Sequence, residues 1–222
     1  MGGHPADTAQ FDAGQSLPMH RHAQAYAALI LEGGYDEFGL DGRYACAAGD
    51  VVLHPRFHAH GNHFSQGRAD VLDIPLPGDA ADQRGLVVLA GVDLEVLLHL
   101  ARTDPKAAGH ALIEESTGRE ALEPPGWLDS FLSRVLAGRS VAWSAAQAQV
   151  SPEHASRTCK DWYGLPPLAL RREARIREAI RALRSGVPIC EAADIAGFSD
   201  QPHFTRVLRA QTGFTPSRIC CV

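Results

Sequence analysis

With 222 residues, 45% of them apolar, the chain can bury one large or two small cores. No apolar run approaches the roughly 18 to 20 residues that cross a bilayer, and the opening MGGHPADTAQF lacks the basic start and apolar centre of a secretory signal. Five scattered cysteines with no C-x-x-C pair exclude a disulfide framework or zinc ribbon, so a cytoplasmic protein with no membrane partner is expected.

The net charge of −5 is uneven. Residues 1–80 hold four Arg and ten Asp or Glu (net −6), residues 81–138 five basic and nine acidic groups (net −4), and residues 139–222 twelve Lys or Arg against seven Asp or Glu (net +5). A basic C-terminal part on an acidic body is the distribution of a chain in which one part meets phosphates and the other does not. Three segments follow: an acidic one over 1–80, a helical connector over 81–138, and a basic one over 139–222 suited to phosphates.

Residues 1–80 read as β structure. Tyr26–Leu31, Tyr35–Phe38, Arg43–Cys46, Val51–His54 and Val71–Leu76 are short apolar or alternating runs, separated by Gly33-Gly34, Asp41-Gly42 and Gly49-Asp50 turns. Such spacing predicts a sandwich or barrel. This segment is rich in histidine: His20 and His22, then His54, His58, His60 and His63. Imidazoles at i and i+2 on a strand share a face, and one more from a paired strand completes a three-nitrogen set suited to zinc, iron, nickel or copper.

Helical periods begin after PLPGDAADQ. Leu94, Leu97, Leu98 and Ala101 line one face behind Asp93 as N-cap, and Ala107–Glu115 and Trp127–Leu136 read as two further helices, the latter after the Pro124-Pro125-Gly126 breaker. Their apolar faces pack either on their own domain or on a second copy. Farther on, Val141–Lys160 reads as a helix-turn-helix with Ser151 as N-cap and Pro152 just inside it. Leu168–Leu183 reads as one helix whose arginines form a solvated face supported by Glu173 and Glu178. Ile189–Arg209 reads as a second helix-turn-helix, with Ala192, Ala193 and Ala196 inside, Gly197 at the turn, and Ser199 or Asp200 capping a helix that buries Phe204, Val207 and Leu208. Cys159 and Cys190 are read as small buried hydrophobes.

SPEHASR, the Tyr163–Pro167 turn, RIREAIRAL, AGFSDQPHFTR and the closing TGFTPS stand in an order that resembles the DNA-binding domain of the AraC/XylS family of bacterial transcription regulators. The resemblance implies an α+β chain, with an N-terminal cupin-like β-barrel (double-stranded β-helix) followed by an all-α domain carrying two helix-turn-helix units. It also implies that Glu153, Ser156 and Arg157 meet DNA from the first recognition helix, and Gln201, His203, Thr205 and Arg206 from the second, while Lys160 and Arg209 meet phosphates. Two positions depart from the family pattern: Gln149 stands at a turn usually held by glycine, and Cys159 replaces a bulky core residue.

Against the cupin motifs, Gly14, His20, His22 and Gly33 fit the first, with Tyr26 at the carboxylate position. Gly49, Pro55 and His60 fit the second, with Phe57 in place of glycine and Phe64 in place of asparagine. The resemblance thus implies His20, His22 and His60 as metal ligands, with Tyr26, His58 and His63 beside them for an effector. The expected partners are promoter DNA, a small-molecule or metal effector, a second copy of the chain, and RNA polymerase if it activates. Two alternatives stay open: a metal-dependent cupin enzyme with an accessory helical domain, and a constitutive DNA-binding protein whose cupin part only dimerises.

Overall fold

The computed structural model describes residues 8–64, 67–115 and 118–221; part of the opening segment weighed above as a secretory signal lies outside them. The chain forms two compact units, Met1–Leu122 and Glu123–Val222.

The first unit is built on two antiparallel sheets. One has six strands in the order β1 (Thr8–Phe11), β8 (Ala69–Pro75), β3 (Tyr26–Glu32), β6 (Val51–His54), β9 (Val87–Leu89) and β10 (Gly118–Arg119). The other has four, in the order β2 (Ser16–His20), β7 (His60–His63), β4 (Gly34–Gly39) and β5 (Gly42–Ala47). The expected barrel therefore takes the form of a two-sheet sandwich. Its interior is an apolar layer containing Ala28, Ile30, Val52 and Val71 from the larger sheet and Tyr35, Tyr44 and Cys46 from the smaller.

The larger sheet is buried on both faces, and this explains its continuous apolar runs. Ala27 and Leu29 of β3 and Val51 and Leu53 of β6 alternate away from the sandwich onto α1 (Gly78–Arg84), α2 (Leu94–Thr103) and α3 (Pro105–Glu114), where they meet Ala81, Leu97, Ala101, Ala108 and Leu112. Asp93 caps α2 as expected, its carboxylate accepting from the Val96 amide at 3.1 Å. Helix α1 begins within PLPGDAADQ, so helical structure starts earlier than the periodicity predicts. Residues 81–138, read as one connector, are shared: α1–α3, β9 and β10 belong to the first unit, and α4 (Leu128–Leu136) to the second. The apolar faces of α2 and α3 are used on their own unit.

In the second unit α4 packs against α5 (Val141–Gln147), α6 (Pro152–Tyr163) and α7 (Pro167–Arg184); α8 (Ile189–Ile195), α9 (Gln201–Thr212) and α10 (Pro216–Ile219) complete it. Leu170, Ile176, Ile180 and Leu183 of α7 are buried as the periodicity predicts. Glu173, expected on the solvated face, is only 5% exposed because it falls on the inner face between Leu170 and Ile176. Cys159 is buried, but Cys190, near the start of α8, is exposed, since the inner face of that short helix is taken by Ala192 and Ala193.

Candidate nucleic-acid interface and histidine cavity

Helices α5 and α6 form the first helix-turn-helix. Ser151 caps α6, its hydroxyl accepting from the His154 amide at 3.1 Å, and the turn closes through Val150 N–H donating to Ala145 O at 3.1 Å. That closure needs a left-handed residue, and Gln149 occupies it at φ 57°. Ala155 and Cys159 face inward, while Glu153, Arg157 and Lys160 are exposed and Ser156 is half-buried. The spacing 153, 156, 157, 160 places these four on one face of α6.

Helices α8 and α9 form the second. Gly197 takes φ 69° at the turn, and Asp200, rather than Ser199, caps α9 by accepting from the His203 amide at 2.6 Å. Phe204 and Leu208 are buried; Gln201, Arg206 and Arg209 are exposed, and Thr205 and His203 are half-buried. The His203 ring lies 5.6 Å from Phe198, edge-on, with Nδ1 3.4 Å from Ser199 Oγ, so it also braces the turn.

The sequence hid one contributor to this turn. Arg175 of α7, read as part of a solvated arginine face, donates through Nε to Ala196 O at 2.6 Å and through its terminal nitrogen to Gly197 O, with its guanidinium carbon 4.3 Å from the Phe198 ring centre. It satisfies carbonyls at the end of α8 that have no intrahelical partner.

In the sandwich, both sheets wall a cavity of about 110 Å³ whose lining includes His20, His22, Tyr26, His54, His60 and Asn62. The rings of His20 and His60 are 4.3 Å apart, those of His22 and His60 5.7 Å, and Tyr26 Oη is 3.2 Å from His60 Nε2. One nitrogen from each of His20, His22 and His60 lies within 4.8 Å of the others, so the motif-derived set does converge. His20 Nδ1 is held by Pro18 O at 2.9 Å, leaving Nε2 as its available donor.

His63 does not join them. On β7 the side chains of His60 and Asn62 turn into the cavity, so His63 points the other way, its Nδ1 2.8 Å from Ser16 Oγ. His58 is buried beside the cavity's lining residues and pairs through Nε2 with Asp41 Oδ2 at 2.6 Å.

The sequence left one residue of this cluster, His54, without an assigned face, and it did not point to another, Glu37. His54 shares the inward face of β6 with Val52 and is 2% exposed, its ring stacked 4.5 Å from Tyr26. Glu37 of β4 is fully buried, with Oε2 3.5 Å from His54 Nε2 and 3.4 Å from Asn62 Nδ2. The available signal was the two-residue period that carries Tyr35, and therefore Glu37, to the core.

Burial dominates the protonation of this interior. It lowers His54 well below the usual imidazole range, aided by the neighbouring His60, and lowers His60 to about 2, aided by His20. Burial also raises Glu37 well above the carboxylate range, against the opposing Asn62 hydrogen bond. Both directions disfavour an ion pair between His54 and Glu37. His22 is lowered by burial and by His20, and Tyr26 is raised by burial and then by Glu37.

Two successive helix-turn-helix units in a basic segment define a DNA-binding domain. Residues 144–219 match the family model of a helix-turn-helix domain. The C-terminal unit is thus a helix-turn-helix DNA-binding domain of the AraC/XylS type. No curated protein sequence matches the chain. Among solved structures, ToxT from Vibrio cholerae O395 matches at 11% identity over 97% of this chain and 96% of its own, with TM-score 0.45. Unsaturated fatty acid-bound ToxT from V. cholerae strain SCE256 matches at 12% over 97% and 94%, TM-score 0.42. A transcriptional regulator with an AraC-type DNA-binding domain from Chromobacterium violaceum matches at 25% over 43% and 89%, TM-score 0.39. Among the described residues no helix is long and apolar enough to cross a membrane.

Proposed function

We propose that the chain is a transcription regulator controlled by an effector received in the histidine cavity, and that it binds promoter DNA as a homodimer through α6 and α9. The observation that carries the reading is the cavity itself. Imidazole, phenol and amide groups in a sandwich core are costly unless paired, and here they gather around one space. At about 110 Å³ that space is well under the roughly 300 to 1,000 Å³ of drug-sized ligand sites. The size favours a small polar molecule or a divalent transition metal, for which zinc, iron, nickel and copper suit the nitrogen-rich donors. A constitutive protein whose sandwich only dimerises has no use for such a space.

On the DNA side, Arg157 and Arg206 suit guanine edges and Gln201 an adenine, with Lys160 and Arg209 on phosphates. Glu153, Ser156, Thr205 and the turn-bracing His203 complete the two reading faces, and an activating role adds RNA polymerase as a partner.

The test is fluorescence anisotropy on a duplex selected from a random library. Arg157→Ala and Arg206→Ala each weaken binding by about 1 to 3 kcal/mol per lost base contact. A double variant that binds like wild type across a salt series refutes the assignment.

A further inference from the structure

We propose that the sandwich holds a zinc-class divalent metal on Glu37, His54, His58 and His60, a donor set different from the motif-derived His20, His22 and His60. This deepens the reading of the cavity as the receiving site and rests on it. One carboxylate oxygen of Glu37 and one ring nitrogen from each of the three histidines lie within 4.8 Å of one another, and all four side chains are buried. The set draws on both sheets, with Glu37 on β4 and His60 on β7 facing His54 on β6.

Four buried atoms in this group have no hydrogen-bond partner among the described residues: Glu37 Oε1 and the Nδ1 atoms of His54, His58 and His60. Desolvated lone pairs with nothing to bind are a cost that a native core rarely carries. A cation that accepts them removes it. The remaining nitrogen of His58 donates to Asp41 at 2.6 Å, the carboxylate–histidine arrangement that fixes ring orientation and raises ligand basicity at metal centres. Among the described residues the polar partners of Glu37 are His54 and Asn62, and neither supplies a fixed positive charge for a buried carboxylate; a divalent ion does.

Three imidazoles and a carboxylate are the nitrogen and oxygen donors that four-coordinate zinc takes. Glu37 thus provides the anionic ligand that Tyr26 does not, from another strand. The outer set has no carboxylate, includes the exposed His22, and shares His60, so the deeper set has the stronger claim on that imidazole. A metal there ties β4 and β7 of one sheet to β6 of the other, acting as a pin across the sandwich.

The experiment uses the full chain, stripped with chelator and titrated with zinc, the bound metal being counted by elemental analysis after gel filtration. Cobalt(II) substitution reads coordination through its visible absorption. Wild type and the His20→Ala/His22→Ala variant are expected to bind one equivalent with matching affinity, to gain thermal stability on zinc addition, and to give intense four-coordinate cobalt bands. Glu37→Gln is expected to abolish those bands, and Asp41→Asn, at a partly exposed site, to weaken zinc binding about 10- to 100-fold. If Glu37→Gln does not fold, the Asp41→Asn affinity and the melting shift of the His20/His22 variant still decide. Zinc lost with His20 and His22 but kept at wild-type affinity in Asp41→Asn overturns the proposal, as does folded wild type that takes up no zinc. Duplex binding measured on the same preparations is a separate readout, so failure of the metal site is distinguishable from failure of the regulator reading.

Discussion

Arg175 anchors the turn on which the second recognition helix depends, and its removal tests that dependence. Arg175→Ala deletes two charge-assisted hydrogen bonds to the carbonyls of Ala196 and Gly197 and the stacking on Phe198. Hydrogen bonds to charged groups contribute about 1.5 to 3 kcal/mol each, and a partly solvated cation–π contact about 0.5 to 1 kcal/mol. Arg175 is half-buried, so water can reach part of what is vacated, and the low end applies: about 2 to 4 kcal/mol in total. All three tryptophans, Trp127, Trp143 and Trp162, lie in the C-terminal unit. Urea unfolding followed by tryptophan fluorescence therefore reports this unit. Exposed Arg172→Ala serves as control and changes stability by no more than about 0.5 kcal/mol. Arg175→Lys keeps the charge but loses the planar fork, and recovers less than half of the loss. An Arg175→Ala midpoint indistinguishable from that of Arg172→Ala refutes the reasoning.

Gln149 holds a left-handed conformation at φ 57°, which costs a side-chain-bearing residue about 1 to 2 kcal/mol. Gln149→Gly returns that, less the flexibility glycine adds to the unfolded chain, and raises stability in the same assay by about 0.5 to 1 kcal/mol; an equal or lower midpoint contradicts it. Gly109 lies inside α3, where alanine ordinarily gains about 1 kcal/mol, but a Cβ there meets Pro75 O at 2.1 Å. Overpacking against backbone costs about 1 to 3 kcal/mol or more, so Gly109→Ala lowers the melting temperature of the β signal in circular dichroism. A rise shows that α3 does not sit this close to β8.

Much of this was legible because period and punctuation speak locally. The VVLH and YAALIL runs mark strands covered on both faces, Asp93, Ser151 and Gly197 mark helix ends, and among the described residues the glycine positions filled by Gln149 and Phe57 are the two non-glycine residues with positive φ. What escaped depends on contacts between distant segments. Nothing around Arg175 distinguishes it from the other arginines of α7; its role exists only because the end of α8 comes to rest against it. Glu37 drew no notice between Asp36 and Phe38; its partner Asn62 comes from β7, which pairs with β4 across a long stretch of chain. His63 looked like another ligand because spacing alone does not say which face of β7 it takes. The short helix α1 escaped because GDAADQR buries only Ala81 and so shows no apolar period.

A regulator of the proposed kind reads out the state of its cavity as DNA affinity. The most direct test measures, by anisotropy on the selected duplex, the affinity of the full chain in chelator and in saturating zinc, and then its zinc affinity with and without duplex. Coupling between two sites on one protein is reciprocal. The account predicts that zinc changes duplex affinity by at least about fivefold, and that duplex changes zinc affinity by the same factor. Protein that binds one equivalent of zinc yet holds the duplex equally well with and without it contradicts the account.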